Sequence, residues 1–305
     1  MNDAFILLKN ERLAVEIAKP GTAYAGSRFD WTGFITQVRL DDRHTFGTYE
    51  SIVPGEGSGG IGFCNEFGLS LPVGYDEAEV GGGYLKVGIG TVQRYDDRPG
   101  DLVQMLNLKI TDRAEISYRY TDTQAVFFSV NPEINGYRCE LEKSISLEDN
   151  RMIIGYTFRN IGKKTIHTDE YTHNFMCFDG HCIGPDYEIS IALMPDEKML
   201  AASRKFQPEL LIGEDSLCVS RTCEGKAFFI KSAAAASGRE YSWKIREKTT
   251  GCSACETDSF VPKRMAVWGT KYAVAPEVFA EISLLPGEET CWNRVFRFDS
   301  AESGK

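Results

Sequence analysis

The chain has 305 residues, 42% of them hydrophobic and 26% charged, and its 44 acidic against 34 basic side chains leave a net charge of −10. Such a composition is that of a globular protein, and the length suits one large β domain spanning residues 1–305. The acidic balance argues against a nucleic-acid partner, whose phosphates need a basic surface, and no run of about 18 apolar residues offers a membrane span.

The N-terminal MNDAFILLKNERL has neither the basic n-region nor the cleavage site of a signal peptide, so a cytoplasmic location is expected. From there on, short segments rich in Val, Ile, Phe, Tyr and Thr alternate with period two and are broken by Gly, Pro, Asn or Asp. Strands are expected over 34–40, 84–94, 114–120, 125–130, 137–147, 152–159, 165–178, 227–231, 278–285 and 292–298. The glycine-rich stretches 55–62 and 81–83 read as loops, the first without the Lys-Ser/Thr of a phosphate-binding loop. A short helix over 195–203 is the single helical expectation. On 137–147 the odd positions are mostly apolar and the even ones polar, which fits a large antiparallel sheet with one face on the core and one curved polar face.

Nine cysteines, an odd number, sit mostly inside apolar segments, which points to reduced, buried thiols rather than a disulfide framework. Cys218, Cys223, Cys252 and Cys255 match the spacing of a four-thiolate zinc site only loosely. No cofactor is expected.

The segment from Thr165 to Gly180 is the most informative. Run as one strand, it turns His167, Asp169, Tyr171 and His173 to one face, because side chains two apart share a face. A chemical role is favoured for His173 and a structural one for His167. Ligation of a metal by His167, Asp169 and His173 is geometrically open, though no further carboxylate partner is evident.

Tyr171-Thr-His-Asn-Phe175, leading into Asp179-Gly180, resembles the His-bearing strand of the aldose 1-epimerases and their galactose-mutarotase-like relatives. The stretch from Val278 through Pro286-Gly-Glu288 to Trp292 and Phe296-Arg-Phe298 is similar to that superfamily's closing hairpin. Arg28-Phe-Asp-Trp-Thr-Gly33 and the strand after it look like its opening strands. The resemblance implies a mainly β fold, a large antiparallel β-supersandwich whose concave sheet holds a hexose. It also implies ring opening by a His that protonates the ring oxygen while a Glu takes the anomeric proton. His173 matches the acid. No carboxylate stands in Arg264–Gly269 or the residues just after it, where the family's base is expected, so Glu277 and Glu281, which share a face with Phe279, are the substitutes. Asn65-Glu66 occupies roughly the place of the family's second His. Arg28 and Lys86, cations beside aromatics, are candidates for gripping hydroxyls or an acidic group, Trp268 for a stacking platform, and Asp169 for a further substrate contact.

The expected partner is therefore a small-molecule carbohydrate, with the oligomeric state open. The first reading is an aldose 1-epimerase-like isomerase in which Glu277, rather than Glu281, is the base, with Glu281 held in a structural ion pair. A second is a sugar or sugar-acid binder on the same fold, and a third is a metal-dependent isomerase or lyase using His167 and His173.

Overall fold

The computed structural model describes residues 4–53, 55–191, 198, 201, 207, 209–213, 216–224, 227–233 and 240–301. Nearly all regular structure among them is antiparallel β. The expected alternation is realised with ends shifted by at most three residues, as in Phe34–Leu40, Glu115–Tyr120, Gln124–Val130, Cys139–Glu148, Arg151–Asn160, Phe228–Ala233 and Glu289–Asp299. In Cys139–Glu148 the odd residues from Cys139 to Leu147 are all buried, the period-two pattern of a sheet with one face on the core. That face includes Lys143, whose Nζ reaches Asp30 at 3.3 Å and donates to the Thr32 carbonyl at 2.9 Å.

Three strands depart from expectation, the one expected over 165–178 by stopping at Asn174. The 84–94 segment is a hairpin of Gly83–Lys86 and Gly90–Gln93 rather than one strand. Gly88 turns at φ +71°, and a Cβ there would stand 1.9 Å from Asp30 Oδ1, so only glycine lets the backbone pass the buried Asp30. Asn131 fastens this turn through the Gly88 N–H and the carbonyls of Lys86 and Gly90. The strand expected to begin at 278 starts at Val274 and runs through Pro276 to Leu284. The helix expected over 195–203 lies, Lys198 and Ala201 apart, outside the described residues.

Among the described residues the strands form two large sheets and a small one. The first runs Phe5–Lys9, Leu13–Ala18, Phe34–Leu40, Phe63–Phe67, Ile166–Asn174, Val274–Leu284, Arg264–Gly269, Phe228–Ala233, with His44–Thr45 beside Phe34–Leu40. The second runs Leu210–Ile212, Ser216–Val219, Tyr187–Ile191, Trp243–Glu247, Ser253–Asp258, Glu289–Asp299, Arg151–Asn160, Cys139–Glu148, Gln124–Val130, Glu115–Tyr120. Gly83–Lys86, Gly90–Gln93 and Ile110–Arg113 make the third.

The two large sheets face each other across the main core, where Phe63 meets Phe296 and Phe298, and Phe67 meets Phe158 and Trp292. Ring contacts of this kind add to the area each aromatic buries. Set into the same core is a fully buried ion cluster: Arg294 Nη2 lies 2.6 Å from Glu170 of the opposite sheet, and Nη1 lies 2.7 Å from Glu256 and 3.1 Å from Asp258. All nine cysteines are free, but Cys182 and Cys291 are exposed rather than buried. No helix among the described residues is long and apolar enough to cross a membrane.

Candidate active site

The site grows out of strand parity and register. On Ile166–Asn174, Glu170 and Thr172 point between the sheets, toward Arg294 and Asn65, while Asp169, Tyr171 and His173 share the other face. Phe63–Phe67 places Glu66 opposite Tyr171 and Cys64 opposite His173. On the other flank Val274–Leu284 pairs Asp169 with Glu281, and the same register carried on sets Tyr171 against Phe279 and His173 against Glu277. One strand further, Arg264 stands opposite Phe279, Ala266 opposite Glu277 and Trp268 opposite Ala275. Two rows thus cross four strands: Glu66, Tyr171, Phe279, Arg264, and beside it Cys64, His173, Glu277, Ala266.

The side chains close these rows. Tyr171 stacks on Phe279 at 4.4 Å between ring centres, and the Arg264 guanidinium covers Phe279 at 3.8 Å. His173 Nε2 lies 3.2 Å from Glu277 Oε1, and both residues are 3% exposed. The imidazole stacks on Phe175 at 3.9 Å and meets Trp268 at 5.6 Å and Phe29 at 6.1 Å nearly edge-on.

The ladder between the two central strands opens where His173 faces Glu277. It is paired from Ile166 to Glu170 and rejoins at the bridge of Met176 with Val274. Pro276 lies in the gap and has no N–H to give. Two side chains from the core donate to the stranded carbonyls: Asn174 Nδ2 to Pro276 at 2.8 Å and Arg294 Nη2 to Val278 at 3.0 Å. Buried carbonyls need such partners, so the split is a supported feature of the sheet.

Glu66 gathers the cations. Its fully buried carboxylate accepts from Arg28 Nε at 2.8 Å, Lys86 Nζ at 3.3 Å and the Tyr171 hydroxyl at 2.6 Å. Arg28 also donates to Ser58 Oγ at 2.7 Å and lies 3.6 Å from Glu50. Burial lowers the pKa of Arg28, but Glu66, Tyr171 and Glu50 outweigh it and hold the guanidinium well above its usual value. In Lys86 burial wins over Glu66 and the pKa is lowered. Burial, with Glu66 adding and Arg28 and Arg264 opposing, pushes Glu277 up to about 8. Burial, helped by Arg28, pushes His173 well below its usual 6.5. Near neutral pH the pair is therefore a carboxylic acid beside a neutral imidazole. His173 Nδ1 is buried and has no hydrogen-bond partner among the described residues. Trp268 and Glu50, which touch this cluster, also line a cavity of about 530 Å³ with Glu56, Lys271 and Tyr272, a volume in the range of small-ligand pockets.

Of the residues singled out in the sequence, Arg28, Glu66, Lys86, His173, Glu277 and Trp268 come together here. Arg28 and Lys86 are both held on Glu66 inside the protein. Asp169 is at the margin, where it accepts from Arg264 at 3.1 Å and from the N–H groups of Ser70 and Leu71. Glu281 is exposed, has no ion-pair partner among the described residues, and lines a separate groove with Phe260, Ile282 and Trp292. Asn65 parts from Glu66 by parity and turns inward to Glu170 and Tyr156. Neither His167 with Asp169 and His173, nor the four cysteines, gather as metal ligands; among the described residues the one such group is His44, Asp179 and Cys252. Sequence reasoning missed Arg264 and Phe279 as neighbours, and placed Tyr171 on the right face without a role. Parity with His173 was the signal for Tyr171, whereas Arg264 depends on a strand pairing that local sequence does not specify.

No protein-family model matches the sequence, and no curated protein matches it. Solved structures do. The Slr1438 protein from Synechocystis sp. PCC 6803 superimposes with a TM-score of 0.59 at 10% identity, over 97% of this chain and 96% of that one. A galactose mutarotase related enzyme from Lactobacillus acidophilus gives 0.58 at 13% identity over 97% of each chain. The GalM/aldose epimerase homologue from C. elegans gives 0.55 at 10%, over 97% of this chain and 98% of that one. Identities this low speak for the fold alone. With nearly the whole chain superimposed on such proteins and two large antiparallel sheets packed face to face, the protein has the galactose mutarotase-like fold.

Proposed function

We propose that this protein interconverts the anomers of a pyranose, with His173 as acid and Glu277 as base. The observation that carries this reading is the buried His173–Glu277 contact of 3.2 Å, whose two partners share one mobile proton near neutral pH. Moved from Glu277 to His173, that proton makes an imidazolium and a carboxylate. The imidazolium then protonates the ring oxygen while the carboxylate takes the anomeric proton, the C1–O5 bond breaks, and the pair is again neutral imidazole and carboxylic acid. Rotation about C1–C2 and the reverse transfers close the ring as the other anomer. The two oxygens served are both bonded to C1, so an acid and a base in contact suit them. The cavity beside Trp268 and Tyr272 has the size and the aromatic wall that a pyranose uses. Arg28 and Lys86, engaged by Glu66, count against the sugar-acid binder.

Polarimetry on freshly dissolved α-glucose, α-galactose and a panel of other aldoses tests this. Acceleration over the uncatalysed rate is expected for at least one sugar, with Glu277→Gln and His173→Gln each lowering it about 10²- to 10⁴-fold while the protein still unfolds in a single cooperative transition. Activity should decline above about pH 8, where Glu277 loses its proton and the pair has none to pass on. A sugar that binds without acceleration would sink the enzyme reading in favour of a binding protein.

A further inference from the structure

We propose a second site, sharing no residue with the His173 cluster: His44, Asp179 and Cys252 bind one divalent cation of the zinc class, which clips the two large sheets together. His44 opens the short strand His44–Thr45 of the nine-stranded sheet. Asp179 sits in the turn Phe178–Gly180, and Cys252 immediately precedes Ser253–Asp258 of the ten-stranded sheet. Three segments remote in sequence thus deliver an imidazole nitrogen, a carboxylate oxygen and a sulfur, all within 4.8 Å of one another.

The donor set is the mixture zinc accepts in four-coordinate sites, at about 2.0 to 2.3 Å from each ligand. Donors around one tetrahedral ion then stand roughly 3.3 to 3.8 Å apart, so a spread of up to 4.8 Å closes by at most roughly 1 to 1.5 Å on binding. The hydrogen bond of 2.7 Å between His44 Nδ1 and Asp179 Oδ2 opens by about half an ångström to admit the ion. Thr45 N–H donates to the other oxygen, Oδ1, at 2.7 Å, which is how ligating carboxylates are commonly oriented. A thiolate and a carboxylate together balance the charge of a divalent ion, so the filled site leaves no net charge in the interior. The same three residue types also make a nucleophilic cysteine triad, but Cys252 is 0% exposed and belongs to the main core, out of reach of a substrate. An ion needs less room, and Asp179, partly exposed, gives it a way in.

The test takes the full chain, strips it with chelator and titrates it with Co²⁺, because a thiolate ligand gives cobalt a charge-transfer absorption that nitrogen and oxygen ligands do not. One equivalent should bind and be displaced by Zn²⁺, with the thiolate band absent in Cys252→Ser and kept in Cys255→Ser. Zn²⁺ should also raise the melting temperature of the wild type, by mass action, and not that of Cys252→Ser. Capture at the exposed Cys182 or Cys291 would keep the band in Cys252→Ser, and that result overturns the site, as does the absence of a saturable equivalent. If Cys252→Ser does not fold, His44→Gln decides: loss of the equivalent supports the proposal and its retention overturns it.

Discussion

Glu277 and His173 tie stability to pH with opposite signs. Glu277 has a folded pKa of about 8 against a usual 4.5, so the folded state holds a proton that the unfolded chain releases. Its contribution is full at low pH and is lost as pH rises through that window. His173 is depressed below its usual 6.5, so its neutral burial costs stability as pH falls below that value. Below pH 6.5 the two slopes oppose each other; between 6.5 and 8 only Glu277 acts. Urea midpoints of the wild type should therefore fall from pH 6.5 to 8, and Glu277→Gln should show a shallower fall over the same range. Other raised carboxyls, Glu170 and Glu256 among them, contribute alike to both proteins, so the difference isolates Glu277. Equal slopes would mean that burial has not raised this carboxyl. The choice between Glu277 and Glu281 also belongs at this scale: both share a strand face, yet one is 3% exposed against His173 and the other lies in solvent.

At the scale of strands, the split between Ile166–Asn174 and Val274–Leu284 is what gives His173 and Glu277 a common space. Pro276 makes the split necessary by lacking a donor, and Asn174 and Arg294 make it tolerable by supplying two. Removing one donor leaves a buried carbonyl unpaired, which costs about 1–3 kcal/mol. Asn174→Leu should lose that much in urea denaturation, and its kcat should drop along with stability because Glu277 follows Pro276 directly. An unchanged denaturation midpoint would show that the carbonyl finds another partner. In the sequence Pro276 lies just before the strand expected over 278–285. The structure runs the strand through it because both neighbours of Val274–Leu284 remain paired on either side of the gap.

For the whole molecule, Arg294 is the fastener. It reaches from Glu289–Asp299 to Glu256 and Asp258 of its own sheet and to Glu170 of the facing one, and is fully buried. Breaking a buried ion pair by removing one partner typically costs about 3–5 kcal/mol, because uncompensated charge stays behind. Arg294→Met leaves three carboxyls in that state and should lower stability by at least that much while the transition remains a single one. A loss under about 1 kcal/mol would mean that the three carboxyls are protonated in the folded protein and that apolar packing alone joins the sheets.

The sequence by itself determined the period-two alternation, hence the class of fold, and the common face of Asp169, Tyr171 and His173. It also held, in their order along the chain, the motifs that resemble the mutarotase-like proteins. These are local properties: side-chain direction repeats every two residues whatever the strand pairs with. Tertiary structure alone decided the rest. Register set Glu277, the base favoured from the sequence, opposite His173, sheet order brought Arg264 over Phe279, and burial drew Arg28 and Lys86 onto Glu66. His44 and Asp179 meet across 135 residues of chain. Such pairings are set by which faces bury together and which loops close, and no window of sequence short enough to read as a motif contains both partners.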